Sequence, residues 1–196
     1  MVSALHIPRA DEFVARLRTR LSEARVRHCI SVAETMWGLA DDAGVDRERA
    51  AVAGLLHDMC KALGPADMLA AAERYRIEVN DTHRQKPMLL HGHVAAAEAK
   101  HELGIAHDDV NEAIAWHVTG RPHVGPLALA LYYADFSEPL RTHDEAAVAR
   151  EIFANEGLRR AVTYVARAKI ERLIAKSALV DPHTRDFRLW LEAQEA

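Results

Sequence analysis

The spacing of apolar residues constrains the fold most, because these residues recur at helical intervals along almost the whole chain. Only nine glycines and seven prolines occur in 196 residues, and most of them stand between these segments. The segments themselves are rich in alanine, leucine, glutamate and arginine, which favour helices. The sequence lacks the alternation of apolar and polar residues that is typical of strands. We therefore predict an all-α fold.

Capping residues and helix breakers set the boundaries of the predicted helices. Asp46 is a predicted N-cap, and Thr142 with Glu145 resembles a capping box. We predict that the last helix stops at Asp181-Pro182. The predicted helices cover about residues 11–42 with a break near 25, 46–61, 65–75, 87–103, 109–117, 126–139, and 142–179 with a break near 155–157. Segments 76–86 and 119–125 are predicted loops, and we expect one domain over 1–196, with core motifs in 25–141 and C-terminal helices in 142–196.

The charge and the cysteine content argue against several classes of protein. The net charge is -4 and the pI is about 6.3, whereas a non-specific nucleic-acid binder is usually basic. The two cysteines, Cys29 and Cys60, form no CxxC pair and predict reduced, buried thiols. No stretch resembles a signal peptide or is long and apolar enough to span a membrane. We expect a cytoplasmic protein with no nucleic-acid or membrane partner.

The first candidate for chemistry is the pair His57-Asp58 near the end of the predicted helix 46–61. Both residues lie on a stripe beside the apolar face, together with Gly54 and Lys61. A histidine nitrogen and the next carboxylate can converge on one ion, and Gly54 would let another helix approach closely. A His-Asp pair alone is more often the polar edge of an amphipathic helix than a site.

Two further residues lie on inward faces of other predicted helices. Asp135 follows Leu127 and Leu131 at intervals of four, so its carboxylate projects from an apolar face. An unpaired buried carboxylate is costly and usually needs a cation or hydrogen bonds. His28 lies on the inward stripe of the first helix, although a lone inward histidine is more often a core residue than a ligand.

His91 near the start of one helix and His117 at the end of another complete the candidate set. Together with His28, His57, Asp58 and Asp135 they offer four imidazoles and two carboxylates, enough to hold one or two divalent ions. Two ions would need a bridging ligand, and a central carboxylate such as Asp58 suits that role. Mixed nitrogen and oxygen donors favour iron, manganese or zinc over calcium or magnesium.

These residues match the H…HD…D pattern of the HD superfamily, and more narrowly the chain resembles the YqeK family of bacterial HD phosphohydrolases. The matching motifs lie in the family's order: Arg25-x-x-His28-x-x-x-Val32, Gly54-Leu55-Leu56-His57-Asp58-x-x-Lys61, Leu89-Leu90-His91-Gly92, Ala113-Ile114-x-x-His117-x-Thr119-Gly120 and Ala134-Asp135-x-x-Glu138-Pro139-x-Arg141. The resemblance implies an HD-domain helical bundle and a di-iron enzyme that splits diadenosine tetraphosphate symmetrically into two ADP. It also implies that all six candidate side chains bind metal.

Catalytic and substrate-binding roles are assigned to residues beside these ligands. Asp58 as a bridging ligand and Lys61 as a phosphate contact are the predicted catalytic residues. Arg141 suits the distal phosphates, because a guanidinium binds phosphate bidentately. The predicted substrate contacts are Lys61, Thr119, Gly120, His123 and Arg141. The ordinary alternatives are a solvated helix end for Lys61, a surface ion pair for Arg141 and a helix terminus for Thr119-Gly120.

Three other interpretations stay open at this point. Another HD phosphohydrolase, a nucleotidase or a phosphodiesterase, would use much the same ligands. A non-catalytic HD module would bind a nucleotide without turnover, and a structural helical protein would bind no metal. The expected partner is a small dinucleoside polyphosphate, and a homodimer is compatible with the sequence. The polar settings of the remaining histidines predict exposure for His6, His83, His101, His107, His143 and His183.

Overall fold

The structure, a computed structural model, describes residues 7–195, so His6 lies outside the described residues. Between these limits the chain forms eleven α-helices and one 3-10 helix, and it forms no strand. The elements are α1 (Ala10–Arg18), α2 (Glu23–Ala43), α3 (Arg47–Leu56), α4 (Pro65–Arg74), α5 (Asp81–Gln85), the 3-10 helix (Pro87–Leu90), α6 (His91–His101), α7 (Asp108–Trp116), α8 (Pro126–Ser137), α9 (Asp144–Glu156), α10 (Leu158–Ala175) and α11 (Pro182–Glu192). The prediction of an all-α fold is confirmed.

Helix α8 is the central element of the fold. It packs against α2, α3, α7, α9 and α10, and its side chains are buried on nearly every side. A helix that is apolar all round must be enclosed by others, because any exposed face would leave large apolar side chains in water. The one carboxylate on this helix, Asp135, therefore lies among packed helices rather than at the surface.

Helices α2 and α3 lie in close contact at Gly54, as the sequence predicts. A Cβ atom on Gly54 would lie 2.8 Å from the Cα atom of Ala33, closer than real Cβ atoms approach backbone. A larger residue would push the two helices apart. This contact brings the rings of His28 and His57 within 5.3 Å of each other.

The predicted helix 46–61 is shorter than expected, although Asp46 does cap it by accepting from the backbone N–H of Arg49. The α-helix ends at Leu56, and tighter turns come after it. In these turns the backbone N–H donates to the carbonyl oxygen three residues earlier, from Met59 to Leu56 and from Lys61 to Asp58. His57 and Asp58 therefore lie in a tight turn rather than in a regular helix.

The N-terminal segment 11–42 and the segment 76–86 also differ from prediction. The first forms two helices, and the second of them begins after Ser22, which caps it, rather than breaking near residue 25. The segment 76–86, predicted as a loop, contains α5, where Asn80 and His83 form a reciprocal capping box. That role buries His83, whereas the sequence predicted an exposed side chain.

Two further boundaries near the C-terminus are corrected by the structure. His143 caps α9 through its ring nitrogen, which accepts from the N–H of Ala146, so Thr142 is not the cap. The dipeptide Asp181-Pro182 begins α11 rather than only ending the preceding segment, since Asp181 caps the new helix and Pro182 occupies its first turn. The predicted break near 155–157 is confirmed between α9 and α10.

The expectations for the cysteines can be compared with the structure directly. Cys29 and Cys60 are both free and buried, and burial raises the pKa of both thiols. They are therefore poor nucleophiles that fill the core. Among residues 7–195, none of the helices has the length and apolar character needed to cross a bilayer.

Candidate metal centre

The six predicted ligand side chains meet in one cluster, to which α2, α6, α8 and the ends of α3 and α7 contribute. Their donor atoms form three overlapping groups, each lying within 4.8 Å: His28, His57 and Asp58; His57, His117 and Asp135; and Asp58, His91 and His117. Three of the four histidines lie at helix ends, where the chain can turn a side chain inward. The sequence prediction that these residues converge is confirmed, while their role as ligands stays a prediction.

The four imidazole rings form a row through the cluster. Ring centroids are 5.3 Å apart for His28 and His57, 4.8 Å for His57 and His117, and 4.9 Å for His117 and His91. His28 therefore stands at one end of the row and His91 at the other. Asp58 lies beside the whole row. Its Oδ2 lies 3.9 Å from Nε2 of His28, and its Oδ1 lies 2.9 Å from Nε2 of His91.

Hydrogen bonds fix which nitrogen of each ring can bind a metal. Nδ1 of His57, His91 and His117 donates to the backbone carbonyl three residues earlier, at 2.7, 2.6 and 2.8 Å respectively. Because a carbonyl oxygen only accepts, the proton is on Nδ1 and the lone pair of Nε2 faces the cluster. Nδ1 of His28 similarly lies 3.0 Å from Oε1 of Glu138. Metal-binding histidines are oriented in this way by their outer partners.

Several buried polar atoms in the cluster lack the partners that burial requires. Nε2 of His57 and Oδ1 of Asp58 make no hydrogen bond with any described residue. Nε2 of His91 and Nε2 of His117 lie 3.1 Å apart, so that two lone pairs face each other, and Nζ of Lys61 donates to Nε2 of His91 at 3.0 Å. Such groups are costly unless a cation lies between them. The cluster therefore fits a metal ion both in its donor types and in its unsatisfied atoms.

The charge states of the cluster also suit a cation. Burial acts to raise the pKa of Asp58, but the neighbouring His57, His117 and His91 hold that pKa well below the usual range of a carboxylate. Burial likewise opposes ionisation of Asp135, but the hydrogen bond to His28 lowers its pKa. Burial lowers the pKa of His117 to about 3, so this imidazole is neutral near pH 7. The cluster thus combines anionic carboxylates with a neutral nitrogen donor.

Three cationic side chains surround the two carboxylates. Arg25 lies 3.0 Å from Oδ2 of Asp58, and Arg141 lies 2.8 Å from Oδ1 of Asp135. Nζ of Lys61 lies 3.5 Å from Oδ1 of Asp58. Each cation is about one third exposed, so each also faces solvent. They can therefore contact an anionic substrate at the mouth of the cluster, and the substrate roles of Lys61 and Arg141 stay predictions.

The other predicted substrate contacts occupy different settings. Thr119 is buried and lines a cavity beside the cluster, and its hydroxyl makes no hydrogen bond with a described residue. Gly120 has a φ of +66° and packs on Phe187, so packing alone accounts for glycine there. His123 is exposed, and its ring lies 5.5 Å from that of Trp190. His123 lines neither of the two cavities beside the cluster. Its role in substrate binding stays a prediction.

Two further residues contact the cluster, and the sequence alone predicts no role for them. Glu138 is buried and accepts from His28 and, at 2.6 Å, from the hydroxyl of Ser31, so it orients His28. Its position in the Glu138-Pro139-x-Arg141 motif could have revealed it. Lys169 on α10 donates to the carbonyl of His117 at 3.3 Å. The sequence marks Lys169 because it follows Val162, Val165 and Ala166 on the apolar face of α10, where a lysine is unusual.

Comparison with known proteins agrees with this arrangement of residues. The family model of the HD domain matches residues 25–146, which is more than half of the chain and includes all six clustered residues. The chain belongs to the HD-domain family. HD hydrolases are metal-dependent, and the histidine and aspartate cluster of this HD domain could hold the metal.

Relatives with similar sequences and folds cover nearly the full length of this HD protein. It is 32% identical over 170 residues to "Bis(5'-nucleosyl)-tetraphosphatase, symmetrical" from Staphylococcus aureus, covering 86% of the chain and 87% of that protein. A Bacillus subtilis protein of the same description is 29% identical, covering 92% and 96%. The crystal structure of a predicted HD superfamily hydrolase involved in NAD metabolism, from Clostridium acetobutylicum, superposes with a TM-score of 0.91 at 30% identity, covering 96% and 99%.

Proposed function

We propose that this HD-domain protein hydrolyses diadenosine tetraphosphate symmetrically, giving two molecules of ADP. The observation that carries the proposal is the shared orientation of four imidazoles, whose Nε2 atoms face the buried carboxylate of Asp58 and the partly buried carboxylate of Asp135. The substrate follows from the similarity to the symmetrical tetraphosphatase of Staphylococcus aureus. The two free, buried cysteines agree with a reducing cytoplasm, the location that we propose. A homodimer stays a prediction.

We propose that the cluster would hold two metal ions and that Asp58 would help to hold both. The two oxygens of Asp58 face different pairs of rings. Oδ2 lies 3.9 Å from His28 and 3.7 Å from His57, whereas Oδ1 lies 2.9 Å from His91 and 3.6 Å from His117. We propose iron for both positions, with manganese and zinc as alternatives, because the donors are imidazoles and carboxylates.

The side chains of the protein supply substrate positioning and charge around these positions. When bound, two such ions would make water a nucleophile near neutral pH and neutralise the phosphoryl oxygens. Asp135, 3.1 Å from His28, would hold the ion at that end of the row. Arg141 and Lys61 would hold the phosphates on either side of the bond that breaks, since both lie beside the carboxylates and face solvent. Glu138 would keep the ring of His28 in place.

Removal and return of metal test the metal part of the proposal. We expect protein treated with a chelator to lose turnover of diadenosine tetraphosphate. Iron added back in the absence of oxygen should restore turnover, which should reach its maximum at two bound ions per chain. Manganese and zinc, added in the same way, serve as the matched comparisons. Full turnover in protein shown by elemental analysis to contain no metal would contradict the proposal.

A further inference from the structure

A cavity of about 290 Å³ opens beside the cluster, between the 3-10 helix, α10 and the start of α11. We call it the lysine cleft and define it by Lys86, Lys169, Arg172, Leu173, Lys176 and Leu179. Leu179 is 47% exposed, so an apolar surface is available next to the charges. The cleft thus combines cationic and apolar side chains, the two features needed to bind phosphates and a base.

The charge of the lysine cleft differs sharply from that of the whole protein. Three of the five lysines of the chain line it, although the net charge of the protein is -4. Arg172 is paired with Glu145 at 2.8 Å. In contrast, Lys86, Lys169 and Lys176 form no salt bridge with a carboxylate among residues 7–195. Asp181 also lines the cavity, so its cations outnumber its carboxylates. A cavity with such an excess of cations attracts an anion, because low-dielectric walls concentrate the field inside it.

The lysine cleft adjoins the metal cluster at the His91 and His117 end of the row. Leu89, two residues before His91, and Thr119, two residues after His117, both line it. Nζ of Lys169 links the two regions, because it donates to the carbonyl of His117 and lies 3.6 Å from the ring centre of Tyr132.

A second cavity, of about 250 Å³, lies at the opposite end of the row. Arg25, His28 and Arg141 line it, and we call it the arginine cleft. Two cavities of similar size, each with cationic side chains, therefore flank the cluster. A symmetric molecule that is cut at its centre places equal anionic halves on the two sides of the reacting phosphates.

We propose that the lysine cleft binds one nucleoside diphosphate half of the substrate, and that the arginine cleft binds the other. This inference rests on the proposed function. The lysine cleft retains its half as an ADP product, held by Lys86 and Lys176 on its rim and by Lys169 at its inner end. The adenine base lies against Leu173 and Leu179. The cleft thereby selects substrates with a nucleotide on both sides of the phosphate chain.

The test combines kinetics and ADP binding in the metal-loaded, full-length protein. In the double variant Lys86→Ala/Lys176→Ala we expect KM for diadenosine tetraphosphate to rise about tenfold, because two charge-assisted contacts are lost. We expect kcat to change by less than about twofold, since both lysines are exposed on the rim of the cleft. Both side chains are exposed, so the variant should fold normally.

Binding of ADP provides a separate readout that does not need turnover. The wild type should bind two ADP per chain by isothermal titration calorimetry, and the double variant should bind one of them about tenfold more weakly. The variant Lys86→Arg/Lys176→Arg should restore both values. Lys100→Ala is the matched control, because Lys100 is exposed on α6 and pairs with Asp108 at 3.7 Å.

The outcomes separate this inference from the proposed function. Unchanged KM and two unchanged ADP sites in the double variant would overturn the role of the lysine cleft, even if the wild type makes ADP. Failure of the wild type to turn over diadenosine tetraphosphate would overturn the proposed function. In that case the loss of one ADP site in the variant would still support a nucleotide site in the cleft.

Discussion

Replacing Asp58 with asparagine should abolish turnover of diadenosine tetraphosphate while the protein remains helical. The two oxygens of Asp58 face different pairs of histidines, so the amide loses the negative charge and one of two oxygen donors. Loss of an outer-shell partner alone costs roughly 10–100-fold in metal affinity or activity. Loss of Asp58, which we propose as a ligand shared by two ions, should cost more. Steady-state kinetics and the metal content of the purified variant measure both effects.

The control for this variant is Asp109→Asn, which makes the same chemical change on the surface. Asp109 pairs with Arg49 at 3.2 Å, and both side chains are more than 40% exposed. It should keep wild-type activity and two metal ions per chain. Wild-type kcat in Asp58→Asn, with circular dichroism showing both variants folded, would rule out Asp58 as the bridging ligand.

Replacing Gly120 with alanine should lower the melting temperature strongly, because both its backbone conformation and its packing favour glycine. Gly120 has a φ of +66°, and a Cβ atom would lie 2.1 Å from the ring of Phe187. The left-handed backbone costs about 1–2 kcal/mol for alanine, and crowding of a packed core adds about 1–3 kcal/mol. We expect a loss of roughly 3 kcal/mol and a melting temperature lower by roughly 10 °C.

Gly104→Ala separates the two contributions to this loss. Gly104 has a φ of +71°, but an added Cβ would have no neighbour within 4 Å. It should therefore show only the backbone cost of about 1–2 kcal/mol. If Gly120→Ala melts no lower than Gly104→Ala in calorimetry but loses activity, Gly120 serves the substrate rather than the packing on Phe187.

The residues of the cluster could be predicted where a local pattern marks them. Asp135 follows two leucines at intervals of four, and an apolar helix face makes a carboxylate conspicuous. The sequence identifies His57 and Asp58 as a candidate pair of metal ligands. It does not predict that the two oxygens of Asp58 face different pairs of histidines. That orientation depends on α3 ending at Leu56 and on tight turns after it, which helical periodicity does not reveal.

Features that depend on packing between distant segments could not be predicted from the sequence. Lys169 lies 52 residues after His117 in the sequence. The two residues are in contact only because α10 packs against α8. The sequence predicts a helix end at Asp181-Pro182, although the same dipeptide favours a helix start and begins α11 in the structure. The C-terminal helices expected within 142–196 include α11, although the sequence predicts no helix start at Pro182.

Product analysis tests the central claim most directly. Metal-loaded protein would be incubated with diadenosine tetraphosphate, and the nucleotides would be separated by ion-exchange chromatography at early times. A chelator-treated sample of the same protein serves as the control. Symmetric cleavage by the HD domain predicts ADP as the sole product and none in the control, whereas equal amounts of ATP and AMP would contradict it.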